Sequence, residues 1–208
     1  MDKIICTIDG LEVKVNKGIS ILEAALSNGI YIPHLCYHPD LKPGGNCRLC
    51  IVEVDGRILP SCLTEVREGM TVKTRTPEID SARRSTVELL IANHHWDCRN
   101  CPGTGKCGLQ KVMARLRTGP KRMRPLRRAK EKLDLDTSNP VFDYDPSRCI
   151  LCGICVRTCE EIAKIGLINF FGRGYLTRVA IFGDKSFCTS CMECVRRCPV
   201  VALVPKKL

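Results

Sequence analysis

Two stretches decide how this chain folds. They are Cys149-Ile150-Leu151-Cys152-Gly153-Ile154-Cys155-Val156-Arg157-Thr158-Cys159 and Cys188-Thr189-Ser190-Cys191-Met192-Glu193-Cys194-Val195-Arg196-Arg197-Cys198, the second closed by Pro199. Each reads C-x2-C-x2-C-x3-C, a spacing of iron–sulfur ligands in which the fourth cysteine of one run serves the other cluster. The crossing follows from geometry. Three closely spaced cysteines wrap one face of a cube, and the fourth corner must come from elsewhere. One [4Fe–4S] cluster is therefore assigned to Cys149, Cys152, Cys155 and Cys198. The other takes Cys188, Cys191, Cys194 and Cys159.

Fifteen of the sixteen cysteines fall into four groups with such spacing, so the whole chain reads as an electron wire. Upstream, Asn93-His94-His95-Trp96-Asp97-Cys98-Arg99-Asn100-Cys101 leads to Cys107 in the pattern H-x3-C-x2-C-x5-C. Imidazole is a competent iron ligand, and a neutral donor in place of thiolate raises a cluster's potential. The residues leave two alternatives open here: His95 instead of His94 as ligand, and three cysteines forming an incomplete zinc site. Gly103, Gly105 and Gly108 match G-x-G-x-x-G, but between cluster cysteines rather than after a hydrophobic strand, so the match carries no dinucleotide reading.

Cys36, Cys47, Cys50 and Cys62, spaced C-x10-C-x2-C-x11-C, mark a [2Fe–2S] site; a four-cysteine zinc site is the competing reading. Gly44 and Gly45 are expected to let backbone N–H groups approach sulfur, which stabilises a reduced cluster. The flanking sequence predicts a strand over Lys3 to Ile8, a turn at Asp9-Gly10 and a second strand over Leu11 to Val15. A helix over Ile21 to Asn28 follows, opened by a Ser20/Glu23 capping box and stopped at Gly29. Ile51 to Val54 is a further strand, turned at Asp55-Gly56. His34 and His38 read as neighbours of the site rather than ligands, and Cys6 as a small core residue. Thr76-Pro77 opens an amphipathic helix through Val87, Leu90 and Ile91.

The fold class predicted is α+β, in three modules. Residues 1–78 form a β-grasp [2Fe–2S] ferredoxin-like domain. Residues 79–140 form a small helical [4Fe–4S] domain, ligated by one histidine and three cysteines, with a basic linker. Residues 141–208 form a bacterial-type ferredoxin domain with two [4Fe–4S] clusters. Clusters substitute for hydrophobic core, which makes such small modules viable.

Sixteen cysteines with no signal-peptide pattern after Met1 point to a reducing cytoplasm, with cysteines kept as metal ligands. The apolar runs, such as Leu89 to Ala92, are too short to insert into a membrane. The formal charge of +11 counts cysteines as neutral. Four clusters and their thiolates contribute about −7, leaving the loaded protein near +4. Nucleic-acid binding is therefore not favoured, and aromatic residues scarcely interleave the basic run Lys111 to Lys132. That run reads either as a solvated linker or as a docking strip for an acidic partner surface.

In this order, the motifs resemble one known arrangement, the N-terminal iron–sulfur region shared by the large iron–sulfur subunit of respiratory complex I and by iron-only hydrogenases. Similar chains occur in NAD-dependent formate dehydrogenases and as the small diaphorase subunit of NAD-reducing nickel–iron hydrogenases. The stretches that carry the resemblance are Ile32 to His38, Gly45 to Val54, His94 with Asp97 to Cys101, Arg148 to Gly153, Cys159 to Glu161, Gly172 to Gly174, and Cys198-Pro199.

The resemblance implies His94 as the iron ligand, with one [2Fe–2S] and three [4Fe–4S] clusters. It implies an electron-transfer subunit of an NAD(P)-linked oxidoreductase complex that carries no substrate site and is compatible with electron bifurcation at a partner flavin. Expected partners are a flavoprotein that handles NAD(P)H, and a hydrogenase, formate dehydrogenase or ferredoxin-interacting subunit. The chain stops at Leu208, ten residues after Cys198, so any catalytic centre is expected on another chain. A free-standing soluble polyferredoxin-like carrier and a zinc-stabilised nucleic-acid binder are the competing functions.

Overall fold

The computed structural model describes residues 3–119, 133–189 and 191–206. Its architecture is α+β. Strands β1 (Lys3–Ile8) and β2 (Leu11–Asn16) pair antiparallel around the Asp9-Gly10 turn. Helix α1 (Ile21–Ser27) starts at Ser20, whose side chain accepts from the Glu23 N–H while Glu23 reaches back to the Ser20 backbone. Its cap is Asn28 rather than Gly29, and Gly29 follows in the left-handed conformation at φ +74°.

β3 (Ile51–Val54) and β4 (Arg57–Pro60) form the second hairpin. A short strand not anticipated from sequence, β5 (Thr71–Lys73), lies between the hairpins, parallel to β1 and antiparallel to β3. The sheet order is β2-β1-β5-β3-β4. At three residues β5 is too short for a periodic signal, and it exists because β1 and β3 both offer it an edge. Ile8, Ile21, Leu22, Val52 and Val72 pack between sheet and helix, with Cys6 among them at 1% exposure.

Helix α2 (Pro77–Ala92) opens on Thr76 as N-cap with Pro77 in its first turn. The face it buries is Ile79, Arg83, Val87 and Ile91. Helix α3 (Gly108–Arg115) begins directly after Cys107. The remaining chain holds two small antiparallel pairs, β6 (Phe142–Tyr144) with β9 (Leu203–Pro205) and β7 (Ile168–Phe171) with β8 (Arg178–Ile181). Two one-turn helices, α4 (Ile154–Arg157) and α5 (Glu193–Arg196), follow the central cysteines of the two runs.

A second core joins parts of all three expected modules. It contains Leu35 and Leu49 of the N-terminal loop, Val87 and Ile91 of α2, Leu109 and Val112 of α3, and Phe142, Ile154 and Val200 beyond. No helix among the described residues is long and apolar enough to cross a membrane. The basic residues Lys121, Arg122, Arg124, Arg127, Arg128, Lys130 and Lys132, and with them most of the expected docking strip, lie outside the described residues.

Candidate iron–sulfur sites

Cys36, Cys47, Cys50 and Cys62 are all buried, none more than 8% exposed. The first three lie on the loop between α1 and β3, and Cys62 follows β4. The turn after β4 is locked by Ser61, whose N–H and hydroxyl both donate to the Cys50 carbonyl, at 2.9 and 2.6 Å. The thiols fall into two hydrogen-bonded pairs, Cys36 with Cys47 and Cys50 with Cys62. The Cys47 thiol, donating to Cys36, is the main cause that pulls the Cys36 pKa down to about 6. The Cys62 thiol does the same for Cys50, also to about 6, and both donors are pushed up by the same bonds. Two neighbouring thiol pairs are the donor set that a two-iron rhomb needs.

The N–H groups that reach Cys36 Sγ are those of Asn46 and Cys47, the latter at 3.4 Å. These donors are the two residues that follow Gly45. Gly45 instead makes the turn: it sits at φ +64°, and a Cβ there would lie 2.6 Å from Leu63 Cδ1. His34 Nδ1 donates to the Ile32 carbonyl at 2.8 Å, and His38 faces Asp40 at 3.7 Å.

Helix α2 ends at Asn93, and the His94 N–H continues to the Ile91 carbonyl. His94 is half-buried with its Nδ1 buried, whereas His95 is exposed. Cys98 and Cys101 are half-buried and Cys107 is buried. Thr104 ties the loop by donating to the carbonyls of Cys98 and Cys101. The Gly103 N–H lies 3.4 Å from Cys101 Sγ, and N–H groups of Leu109 and Gln110, in the first turn of α3, point at Cys107. This loop leans on the last stretch of the chain, where the Gly108 N–H donates to the Pro199 carbonyl at 2.7 Å.

The last two runs face two apolar cavities. Cys149, Cys152, Cys155 and Cys198 line one. Cys159, Cys188, Cys191 and Cys194 line the other. Each cavity takes three thiols from one run and the fourth from the other. Cys159 reaches across because α4 continues into a π-helical turn over Thr158–Ile162, a widening common at functional sites. N–H groups of Leu151 and Ala202 point at Cys149 and Cys198 sulfurs, at 3.4 and 3.2 Å. Tyr144, which the motifs did not signal, is buried beside Cys149 within side-chain hydrogen-bond reach, while its oxygen accepts from the Val179 N–H. Burial pushes Cys152 and Cys194 up to about 12, so iron must displace their protons on binding. Among the described residues no three His, Cys, Asp or Glu side chains converge on one metal-ion position. The thiols of the last two runs are spread over cavity walls, as suits a cluster whose irons stand apart.

The N-terminal loop docks onto the first of these cavities. Asn46 Nδ2 donates to the Cys152 carbonyl at 3.1 Å. The left-handed residue after Cys152 is Gly153, and its counterpart after Cys191 is Met192, also left-handed at φ 53°. At Gly153, whose φ is +73°, a Cβ would lie 2.9 Å from Asn46 Nδ2 and 3.4 Å from the Phe170 ring. Lys42 N–H donates to Glu161 at 2.9 Å, and Arg197 pairs with Asp40 at 3.0 Å.

Three family models match along the chain: a 2Fe-2S iron-sulfur cluster binding domain over residues 1–77, the NADH-ubiquinone oxidoreductase-G iron-sulfur binding region over 83–122, and a 4Fe-4S dicluster domain over 148–202. The NADPH-Fe(3+) oxidoreductase subunit alpha of Geobacter sulfurreducens is 36% identical over 204 residues, which are 96% of this chain and 24% of that protein. The NADH-ubiquinone oxidoreductase 75 kDa subunit of Reclinomonas americana is 36% identical over 202 residues, 96% of this chain and 29% of that one. The chain thus spans less than a third of the length of these curated relatives. A chain in the crystal structure of an NAD+-reducing [NiFe]-hydrogenase in the H2-reduced state superposes with a TM-score of 0.88. It is 32% identical, and the match covers 98% of this chain and 87% of that one.

Proposed function

Since the chain belongs to the family of iron–sulfur electron-transfer subunits that includes the NADH-ubiquinone oxidoreductase 75 kDa subunit and the NAD+-reducing [NiFe]-hydrogenase chain, we propose that it is the single-electron wire of an NAD(P)-linked oxidoreductase complex of hydrogenase or formate dehydrogenase type. It connects a partner flavin site to a partner catalytic or ferredoxin site and carries no substrate site of its own. A partner flavin that splits electron pairs is served by the same wire, since single-electron passage is what bifurcation requires. The ligand sets are Cys36, Cys47, Cys50 and Cys62 for one [2Fe–2S] cluster, and His94, Cys98, Cys101 and Cys107 for one [4Fe–4S] cluster. The two crossed sets of the last runs hold two more.

When bound, the clusters supply one-electron redox chemistry. The chain's residues hold them, aim N–H groups at the sulfurs and exclude water, which together set the potentials. The observation that carries the reading is the pair of thiol-ringed cavities with the N-terminal loop hydrogen-bonded to one of them. Ligand sites fixed against each other at hydrogen-bond distance suit a wire inside a complex.

The experiment is anaerobic native purification with mass spectrometry of what co-purifies. A flavoprotein together with a hydrogenase or formate dehydrogenase subunit is expected. A chain that elutes alone with its iron intact would instead make it a free-standing soluble carrier.

A further inference from the structure

Arg83 is 1% exposed, the largest side chain in the interior to be so fully enclosed. Its Nε donates to the Leu49 carbonyl at 3.0 Å, and its two terminal nitrogens to the carbonyls of Ile51 and Thr74, at 2.6 and 2.9 Å. Leu49 and Ile51 are the residues on either side of Cys50. The guanidinium therefore grips the backbone before and after a cysteine of the first site, from a helix that begins beyond the β-grasp sheet.

Carbonyl dipoles satisfy these donors but do not neutralise them, and a buried cation demands an opposing charge. Among the described residues none of the ion pairs involves Arg83. The nearest carboxylate along α2, Asp80, is paired with the exposed Arg75 at 2.7 Å. The other negative groups that act on Arg83 are the Cys50 sulfur and, after it, Asp9, whose carboxylate already accepts from the N–H and hydroxyl of Thr74. A neutral donor could have tied the same carbonyls. A permanent positive charge does something further beside a site that goes from about −2 to about −3 when it takes up an electron. In a poorly screened interior that cation favours the reduced form.

We propose that Arg83 is the built-in counter-charge of the [2Fe–2S] site, a positioning residue that clamps the backbone on both sides of Cys50 and raises the reduction potential there. The proposal rests on the reading that Cys36, Cys47, Cys50 and Cys62 hold that cluster.

The test is a redox titration of the full chain, reconstituted anaerobically with iron and sulfide and followed by electron paramagnetic resonance. The [4Fe–4S] signals of the same sample serve as internal reference. Arg83→Gln is expected to move the [2Fe–2S] midpoint downward against that reference, and Arg83→Lys, which keeps the charge, to stay near the unsubstituted value. An unmoved midpoint in R83Q with its signal intact overturns the proposal, as do equal shifts in R83Q and R83K. Should R83Q not fold, Arg83→Met, which keeps an unbranched side chain without the charge, is titrated in its place. Its midpoint must fall against the same reference, and an unmoved one overturns the proposal. Absence of any [2Fe–2S] signal in the unsubstituted chain would sink the underlying cluster assignment instead, which keeps the two failures distinct.

Discussion

Arg157 donates to the carbonyl of Cys36 at 2.6 Å across 121 residues of sequence, and with a second nitrogen to the carbonyl of Lys42 at 2.5 Å. It stands two residues before Cys159, so one side chain ties the [2Fe–2S] loop to the helix that carries cysteines of both cavities. Such charge-assisted bonds contribute about 1.5–3 kcal/mol where they are shielded from water. Arg157→Met is expected to cost about 1–3 kcal/mol in a denaturant melt, because two carbonyls lose their donor. Freeze-quench spectroscopy should also show slower electron exchange between the first site and the cavity lined by Cys152. A native rate in a destabilised variant would confine Arg157 to a structural role.

The crossed arrangement makes opposite forecasts for two serine substitutions. Cys198→Ser should damage the cluster held by Cys149, Cys152 and Cys155, and Cys159→Ser the one held by Cys188, Cys191 and Cys194. Mössbauer and resonance spectra of the two variants will separate the signals. If each substitution damages its own run's cluster, the crossing is wrong.

At the second site, His94→Cys replaces a neutral donor with a thiolate. The expected outcome is a cluster that is retained but has a lower potential. His95→Ala, at an exposed position, should leave the redox titration unchanged. A shift in the His95 variant alone would transfer the ligand role.

Tyr144→Phe removes a hydroxyl near Cys149 Sγ and leaves the Val179 N–H without its acceptor. Loss of a hydrogen bond to a cluster sulfur lowers the potential, and the orphaned buried N–H costs about 1–3 kcal/mol. A melt and a titration on the same sample read both. A lowered stability with an unmoved potential would limit Tyr144 to packing.

Iron removal should not unfold the chain evenly. The core around β1 to β5 is largely aliphatic, whereas the second core counts cysteines from every expected site among its residues. Chelation under anaerobic conditions is therefore expected to expose residues 141–206 to protease while the β-grasp core persists. Simultaneous loss of both would show that the N-terminal module also depends on metal to fold.

Ligand spacing is local information, and it is where the sequence was most legible. The C-x2-C-x2-C-x3-C runs, the Ser20 capping box and the Thr76-Pro77 helix start all operate within a few residues, so they can be read without knowing the rest of the fold. So could the α+β class and the strands of both N-terminal hairpins. Strand β5 could not, because three residues carry no period and its place depends on two edges distant in sequence. Nor could the donors to Cys36: the glycines pointed to N–H groups near sulfur, but that the turn at Gly45 presents those of Asn46 and Cys47 is read from the fold.

What stands around the cysteines was decided by tertiary structure alone. Arg83 falls on the buried face of an amphipathic helix, where sequence periodicity would place an apolar residue. It is acceptable there only because three carbonyls from elsewhere in the fold converge on it. Gly153 and Met192 occupy equivalent left-handed positions and look interchangeable along the chain. Position 153 is crowded by Asn46 from the N-terminal loop and by the Phe170 ring, which a Cβ would meet at 2.9 and 3.4 Å. Cysteine spacing is imposed by the cluster, whereas the two arginines that grip the backbone of the first site, Arg83 and Arg157, reach it from 32 to 121 positions away, and long-range contacts leave no mark on local sequence.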